Sequence, residues 1–135
     1  MPFKFDTTVS SPPPEACINE TLDKISLTLY PHSAQICPDI FSLSNVTFTL
    51  VWFDQIRVGS FRFVLHQNVA HVIYKPRLEF VRLYSLSSLL SDFLGYLRST
   101  FDDPNLQISI YYVDTSQSSS ALPLPQLSGI SFNKL

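Results

Sequence analysis

Between Tyr84 and Phe101 the chain reads YSLSSLLSDFLGYLRSTF. Leu86, Leu89, Leu90, Phe93, Leu94, Leu97 and Phe101 recur at intervals of three and four, the pattern of a helix with one buried face. Ser85 is placed to cap its start. Tyr84 and Leu89 have the spacing of a hydrophobic staple across that cap. Pro104 cannot continue the helix and disfavours helical backbone at Asp103, so Asp102-Asp103-Pro104 ends it. Ser87, Ser88, Ser91, Asp92 and Arg98 fall on the opposite face. Gly95 costs about 1 kcal/mol against alanine. It is either tolerated or admits another backbone, such as a second copy of this helix.

Such a helix needs a surface to lie on, and the rest of the chain supplies strands. Ile25-Ser26-Leu27-Thr28-Leu29-Tyr30 alternates apolar and polar residues, the period of a half-buried strand. Val46 to Phe53, VTFTLVWF, is β-branched and aromatic, as a central strand should be. Val46, Phe48, Leu50 and Trp52 share one of its faces. Asp54-Gln55 begins a turn into a strand over Ile56 to His66, where Gly59 marks a bend or bulge. Gln67-Asn68 reads as a hairpin turn into Val69 to Tyr74. That turn sets His66 opposite Val69 and Val64 opposite His71. Phe61, Phe63, Leu65, Ala70, Val72 and Tyr74 then form an apolar face for the helix. Arg62, Val64, His66, Val69, His71 and Ile73 form a mixed face for solvent or a partner. A slip of one residue would exchange the two faces, so the register is well specified. A fifth strand is expected over Arg77 to Leu83. After the helix, Leu106 to Val113 alternates again and returns to the sheet.

The expectation is therefore an α+β fold. A mainly antiparallel sheet of about six strands packs on one long helix, in the order β-β-β-β-β-α-β. Residues 24–114 form the single domain. Residues 1–23, with the run Ser10-Ser11-Pro12-Pro13-Pro14, read as an irregular arm. Residues 115–135 read as a Ser-rich joint followed by an apolar tail. Either terminus is placed to strap onto a neighbouring subunit or another protein.

Composition narrows the function classes. Only 15% of the 135 residues are charged and 13% are aromatic, including eleven Phe and six Tyr. So apolar a chain is expected to self-associate, as a dimer or a higher homo-oligomer. Neither a membrane-spanning run nor a signal-peptide core is legible, and the expected location is intracellular. Cys17 and Cys37 are too few for a disulfide framework or a zinc site. The excess of Ser, Leu, Phe and Pro matches a pyrimidine-rich gene of a compact genome, viral genomes among them.

Catalytic signatures are missing from the sequence. Three glycines, at 59, 95 and 129, cannot make a phosphate-binding loop. HExxH, paired CxxC and GxSxG patterns do not occur. His66 and His71 can share a face, but no third metal ligand is signalled beside them. The reading is non-enzymatic, with no cofactor and no metal.

Charge is more informative. Between Gln55 and Ser91 stand Arg57, Arg62, Lys75, Arg77 and Arg82 against the single acid Glu79. The flanks are acidic, and the net charge of the whole chain is −2. A basic middle with acidic flanks attracts phosphate, on lipid or on nucleic acid, or pairs with the acidic part of another copy. His66 and His71 would strengthen such an anion site below about pH 6.5. The expected function is thus a self-associating, matrix-like accessory or structural protein, of viral type, whose basic face meets an anionic membrane or RNA. The alternatives are a dimeric RNA-binding protein such as a silencing suppressor, with Tyr74 or Tyr84 stacking on bases, and a small apolar-ligand carrier.

Overall fold

In the sheet of this protein, spatial order follows chain order. The structure is a computed structural model that describes residues 2–11, 39–42, 46–80, 83–112 and 125–134. Its strands are β1 (Phe3–Ser11), β2 (Val46–Phe53), β3 (Ile56–His66), β4 (Val69–Pro76), β5 (Gln107–Tyr112) and β6 (Ile130–Lys134). Helix α1 (Leu86–Thr100) lies between β4 and β5. β1 through β4 pair antiparallel, whereas β5 and β6 join in parallel. A parallel partner cannot be reached by a tight hairpin. The crossover from β4 to β5 runs through α1, which is how the helix comes to cover one face of the sheet.

The α+β class is as expected, with a mostly antiparallel sheet and one helix. The order of elements differs. Phe3–Ser11, inside the segment read as an irregular arm, is a strand at one end of the order formed by the described residues, paired with β2 from Phe3↔Phe53 to Ser11↔Val46. Its alternation explains this: Phe3 is buried, Phe5 and Thr7 are half-buried, and Lys4 and Asp6 between them are exposed. Ile130–Lys134, inside the apolar tail, is a strand at the opposite end of the order formed by the described residues. Of the strand expected over Arg77 to Leu83, the described residues 77–80 and 83 form none. Pro76 closes the β4 ladder, and Leu78–Phe80 is a 3-10 turn on the way to the helix layer. The strand expected at residues 25–30 lies outside the described residues.

Both hairpins close with two-residue turns in the left-handed region. Asp54 and Gln55 have φ of 50° and 69°, and Gln67 and Asn68 have 52° and 65°. Positive φ at both central residues matches the right-handed twist of the flanking strands. The second hairpin has the expected register, His66↔Val69 and Val64↔His71.

A 15-residue helix is marginal alone in water. α1 is held by Leu89, Leu90, Phe93, Leu94 and Leu97, all buried against the sheet. Each such side chain contributes roughly 1.5–3 kcal/mol on leaving water. Phe93 stacks on Phe61 with ring centroids 3.8 Å apart. Phe5 of β1 meets both Phe93 and Tyr96. Thr7 shares hydroxyl bonds with Thr49, at 2.9 Å, and with Tyr96, so β1 is tied to β2 and to the helix.

The ends of α1 follow local rules. The Ser85 hydroxyl accepts the Ser88 N–H at 3.1 Å, the expected N-cap. At the other end Asp102 takes a φ of 49°, and the Asp103 N–H donates to the Arg98 carbonyl at 3.0 Å. This is a Schellman ending with aspartate where glycine is usual. Asp103 Oδ1 then accepts the Asn105 N–H at 3.0 Å.

Candidate cationic face of the sheet

The face of the sheet turned away from α1 is built in rows by the strand register. One row is Lys4–Trp52–Arg57, the next Asp6–Leu50–Ser60–Lys75, and the third contains Phe48–Arg62–Ile73. Neighbouring strands stand about 4.8 Å apart and successive rows about 7 Å apart. Because side chains alternate, these residues point away from Phe61, Phe63 and Tyr74, which lie in the core under the helix.

A hollow of about 140 Å³ opens on this face, and Arg57, Arg62, Lys75 and Arg77 all contribute to its lining. Phe48, Leu50, Gly59, Ser60 and Pro76 complete its lining. The Arg62 guanidinium lies over the Phe48 ring, 4.9 Å from its centroid. A cation over an aromatic face is attracted by the ring quadrupole. Arg77 sits at the rim. It donates to the Arg57 carbonyl at 3.4 Å and pairs with Glu79 at 3.1 Å. Its guanidinium also lies 5.2 Å from the centroid of Phe80. Arg57 and Arg77 are exposed, and Arg62 and Lys75 are half-buried. Such a group of donors on a low-dielectric floor is suited to hold an anion.

A larger open hollow of about 660 Å³ lies at the start of β1 and the β2–β3 turn. Pro2, Lys4, Trp52, Phe53, Asp54 and Gln55 line it. Trp52 lines this hollow, and its register partner Arg57 lines the first. The two hollows are therefore neighbours on the sheet.

Seven residues were expected in an anion site from sequence, and the structure divides them. Arg57, Arg62, Lys75 and Arg77 come together. His66 and His71 do not join them. His71 lies on the row Val64–His71–Ser109, one row beyond Arg62. Its Nδ1 is 2.9 Å from the Tyr111 hydroxyl. Burial, and then the nearby His66, hold the His71 imidazole below its ordinary value. Arg82 lies outside the described residues.

The tyrosines expected to stack on bases are elsewhere. Tyr74 is buried on the helix side, and its hydroxyl bonds to that of Tyr84. Burial, and then the charge of Tyr84, push the Tyr74 hydroxyl far above its ordinary value. The aromatic residues beside the cations are Phe48 and Trp52 instead, with Lys4 as an additional cation. Sequence reasoning missed Lys4 because residues 1–23 were read as an arm. The alternation Phe3-Lys4-Phe5-Asp6-Thr7 is the signal that places Lys4 on the outer face.

A second small core covers the far end of this face. Phe41, from a 3-10 turn at Asp39–Ser42, packs with Val46, Val64 and Ile73. Beyond it, Asn133 Nδ2 donates to the Ser109 hydroxyl and to the Ile110 carbonyl, the latter at 3.3 Å. Among the described residues no three His, Cys, Asp or Glu side chains group as metal ligands. Among those residues no helix is long and apolar enough to cross a membrane. No family model matches the sequence, and neither the curated proteins nor the solved structures contain a match to it.

Proposed function

We propose that this is a non-enzymatic accessory protein that binds a phosphate-bearing partner through the outer face of its sheet. The observation that carries the reading is the gathering of Arg57, Arg62, Lys75 and Arg77 around one hollow. The chain as a whole has a net charge of −2, so attraction to an anion has to come from local arrangement and not from bulk charge. Phosphate binding by such a group is salt-dependent, because each neutralised phosphate releases a counterion. The test is co-sedimentation with anionic vesicles and gel shift with RNA, across a salt series. Binding that weakens as salt rises, and that Arg57→Glu with Lys75→Glu abolishes, is expected. Failure to bind either anion at low salt would remove the reading.

Self-association is the second element of this proposal, and the sheet edges favour it. Among the described residues β1 and β6 are the two ends of the strand order, and a strand at the end of a sheet offers backbone groups to another chain. Exposed apolar area is a weaker motive than composition implied. Among the described residues the exposed large apolar side chains are Ile56, Leu65, Leu83 and Phe101. The aromatic excess is spent inside, on the contacts between Phe3, Phe5, Phe53, Phe61, Phe93 and Tyr84. Light scattering that returns a monomer mass up to high protein concentration would rule this part out.

A further inference from the structure

We propose that the phosphate-bearing partner is single-stranded nucleic acid, with Trp52 as the base-stacking residue and Lys4, Arg57 and Lys75 as phosphate contacts. This inference rests on the phosphate-binding reading above and names its ligand.

Three observations carry it. First, aromatic and cationic side chains interleave on one face: Lys4, Trp52 and Arg57 share a row, and Phe48 and Arg62 share another. Single-strand binding sites combine these two elements, a cationic track for the backbone and aromatic faces for successive bases. Second, Trp52 is half-buried and lines an open hollow of about 660 Å³, large enough to receive a nucleobase against the indole. Gln55 and Asp54 at its wall can meet the hydrogen-bonding edge of that base. Third, the cations from Arg57 to Arg62 extend over three rows, about 14 Å along the strands, which suits a short run of extended backbone and not a single ion.

Duplex is disfavoured by the same geometry, since its bases are already stacked and their faces are out of reach of Trp52. A lipid surface would call for apolar side chains standing proud of the cations. Here Phe48, Leu50 and Trp52 are half-buried between them, and among the described residues only Ile56 is well exposed nearby, at 39%.

The chain has one tryptophan beside six tyrosines, so emission excited at the red edge, where tyrosine does not absorb, reports on Trp52 alone. The full chain is titrated with single-stranded oligouridylate, a blunt RNA duplex of equal length, inorganic polyphosphate, and vesicles of phosphatidylserine and phosphatidylcholine. Quenching of emission by the single strand, with weaker binding and no quenching for duplex and polyphosphate, is the expected result. Trp52→Ala has no tryptophan and is followed by the fluorescence anisotropy of labelled probes; it should weaken single-strand binding roughly 5- to 100-fold and leave polyphosphate binding, read by calorimetry, within about twofold. Circular dichroism and a melting curve check that this variant folds. If it does not, Trp52→Leu replaces it, filling the site without an aromatic face, and should lose single-strand binding to a similar extent; parental binding by this variant would overturn the stacking role. Arg57→Gln should reduce the slope of log affinity against log salt by about 0.7.

Binding to vesicles with no binding to the single strand would overturn this inference and leave the phosphate-binding face standing. Equal affinity for duplex and single strand without quenching would do the same, since charge alone would then account for the binding. Absence of binding to all four probes at low salt would overturn both. A folded Trp52→Ala protein that binds single strand as tightly as the parent would overturn the stacking role.

Discussion

Gly59 shows how one residue on β3 serves both faces of the sheet. A Cβ there would stand 2.8 Å from the Lys75 carbonyl oxygen and 2.9 Å from the Tyr74 hydroxyl. The first neighbour is backbone and cannot swing aside. Gly59→Ala is therefore expected to cost about 1–3 kcal/mol, measured by urea denaturation. It should also disturb the cationic hollow, since Gly59 lines it. His71 gives the fold a pH dependence. Its imidazole is held below the ordinary 6.5, so over the window from about pH 6.5 down to the lowered value the unfolded chain binds a proton that the folded chain does not. Stability therefore rises with pH across that window and falls on acidification through it. His71→Gln removes that term. Its melting temperature is expected to drop less between pH 7 and 5 than that of the parent, and an equal drop would show that other groups govern the acid response. The strengthening of the anion site by His71 protonation, expected from sequence, is weakened twice: the ring resists the proton and sits a row away from the four cations.

At the scale of the element, the helix depends on a contact that its sequence places wrongly. Arg98 lies on the polar side of the periodic pattern, yet its Nε donates to the Leu106 carbonyl at 2.8 Å. Gly129, with a φ of 80°, packs over its guanidinium, and a Cβ there would come within 3.0 Å of Nη2. One arginine thus joins the end of α1 to the entry of β5 and the turn before β6. Arg98→Gln should cost about 1–2 kcal/mol, because it removes a charge-assisted bond to a backbone acceptor. Chemical denaturation reads this loss, and a change below a few tenths would show the bond to be dispensable. β1 has a similar role on the other edge. Its inward residues Phe3, Phe5 and Thr7 reach Tyr84, Phe93 and Tyr96. The strand belongs to the domain core although the chain around it is rich in Pro and Ser. Its alternation covers few residues before Ser10-Ser11-Pro12, and a short alternating run competes poorly with a strong loop signal.

At the scale of the whole molecule, Gly95 separates two modes of self-association. A Cβ on Gly95 would meet nothing within 4 Å among the described atoms. Gly95→Ala should then stabilise the protein by about 0.5–1 kcal/mol. It should leave the mass from light scattering unchanged, because the proposed contacts lie at the sheet edges. A loss of oligomer in this variant would instead put a second helix against α1. What the sequence determined by itself were the elements whose short period runs long enough to outweigh local loop signals. The helix and its caps, the two hairpins and the inner and outer faces of β3 and β4 all follow from spacings of two, three and four residues, which local sterics and burial impose wherever they occur. What only the tertiary structure decided was pairing between distant segments: β1 on β2, β6 on β5, and the parallel return of β5 beside β4. No local pattern encodes which edge a short strand will join, since that choice rests on the summed packing of all its neighbours. The cationic face is of this second kind. Its arginines were legible as a run of charge, but the register of three strands brought Trp52, Phe48 and Lys4 among them and left Tyr74 on the side of the helix.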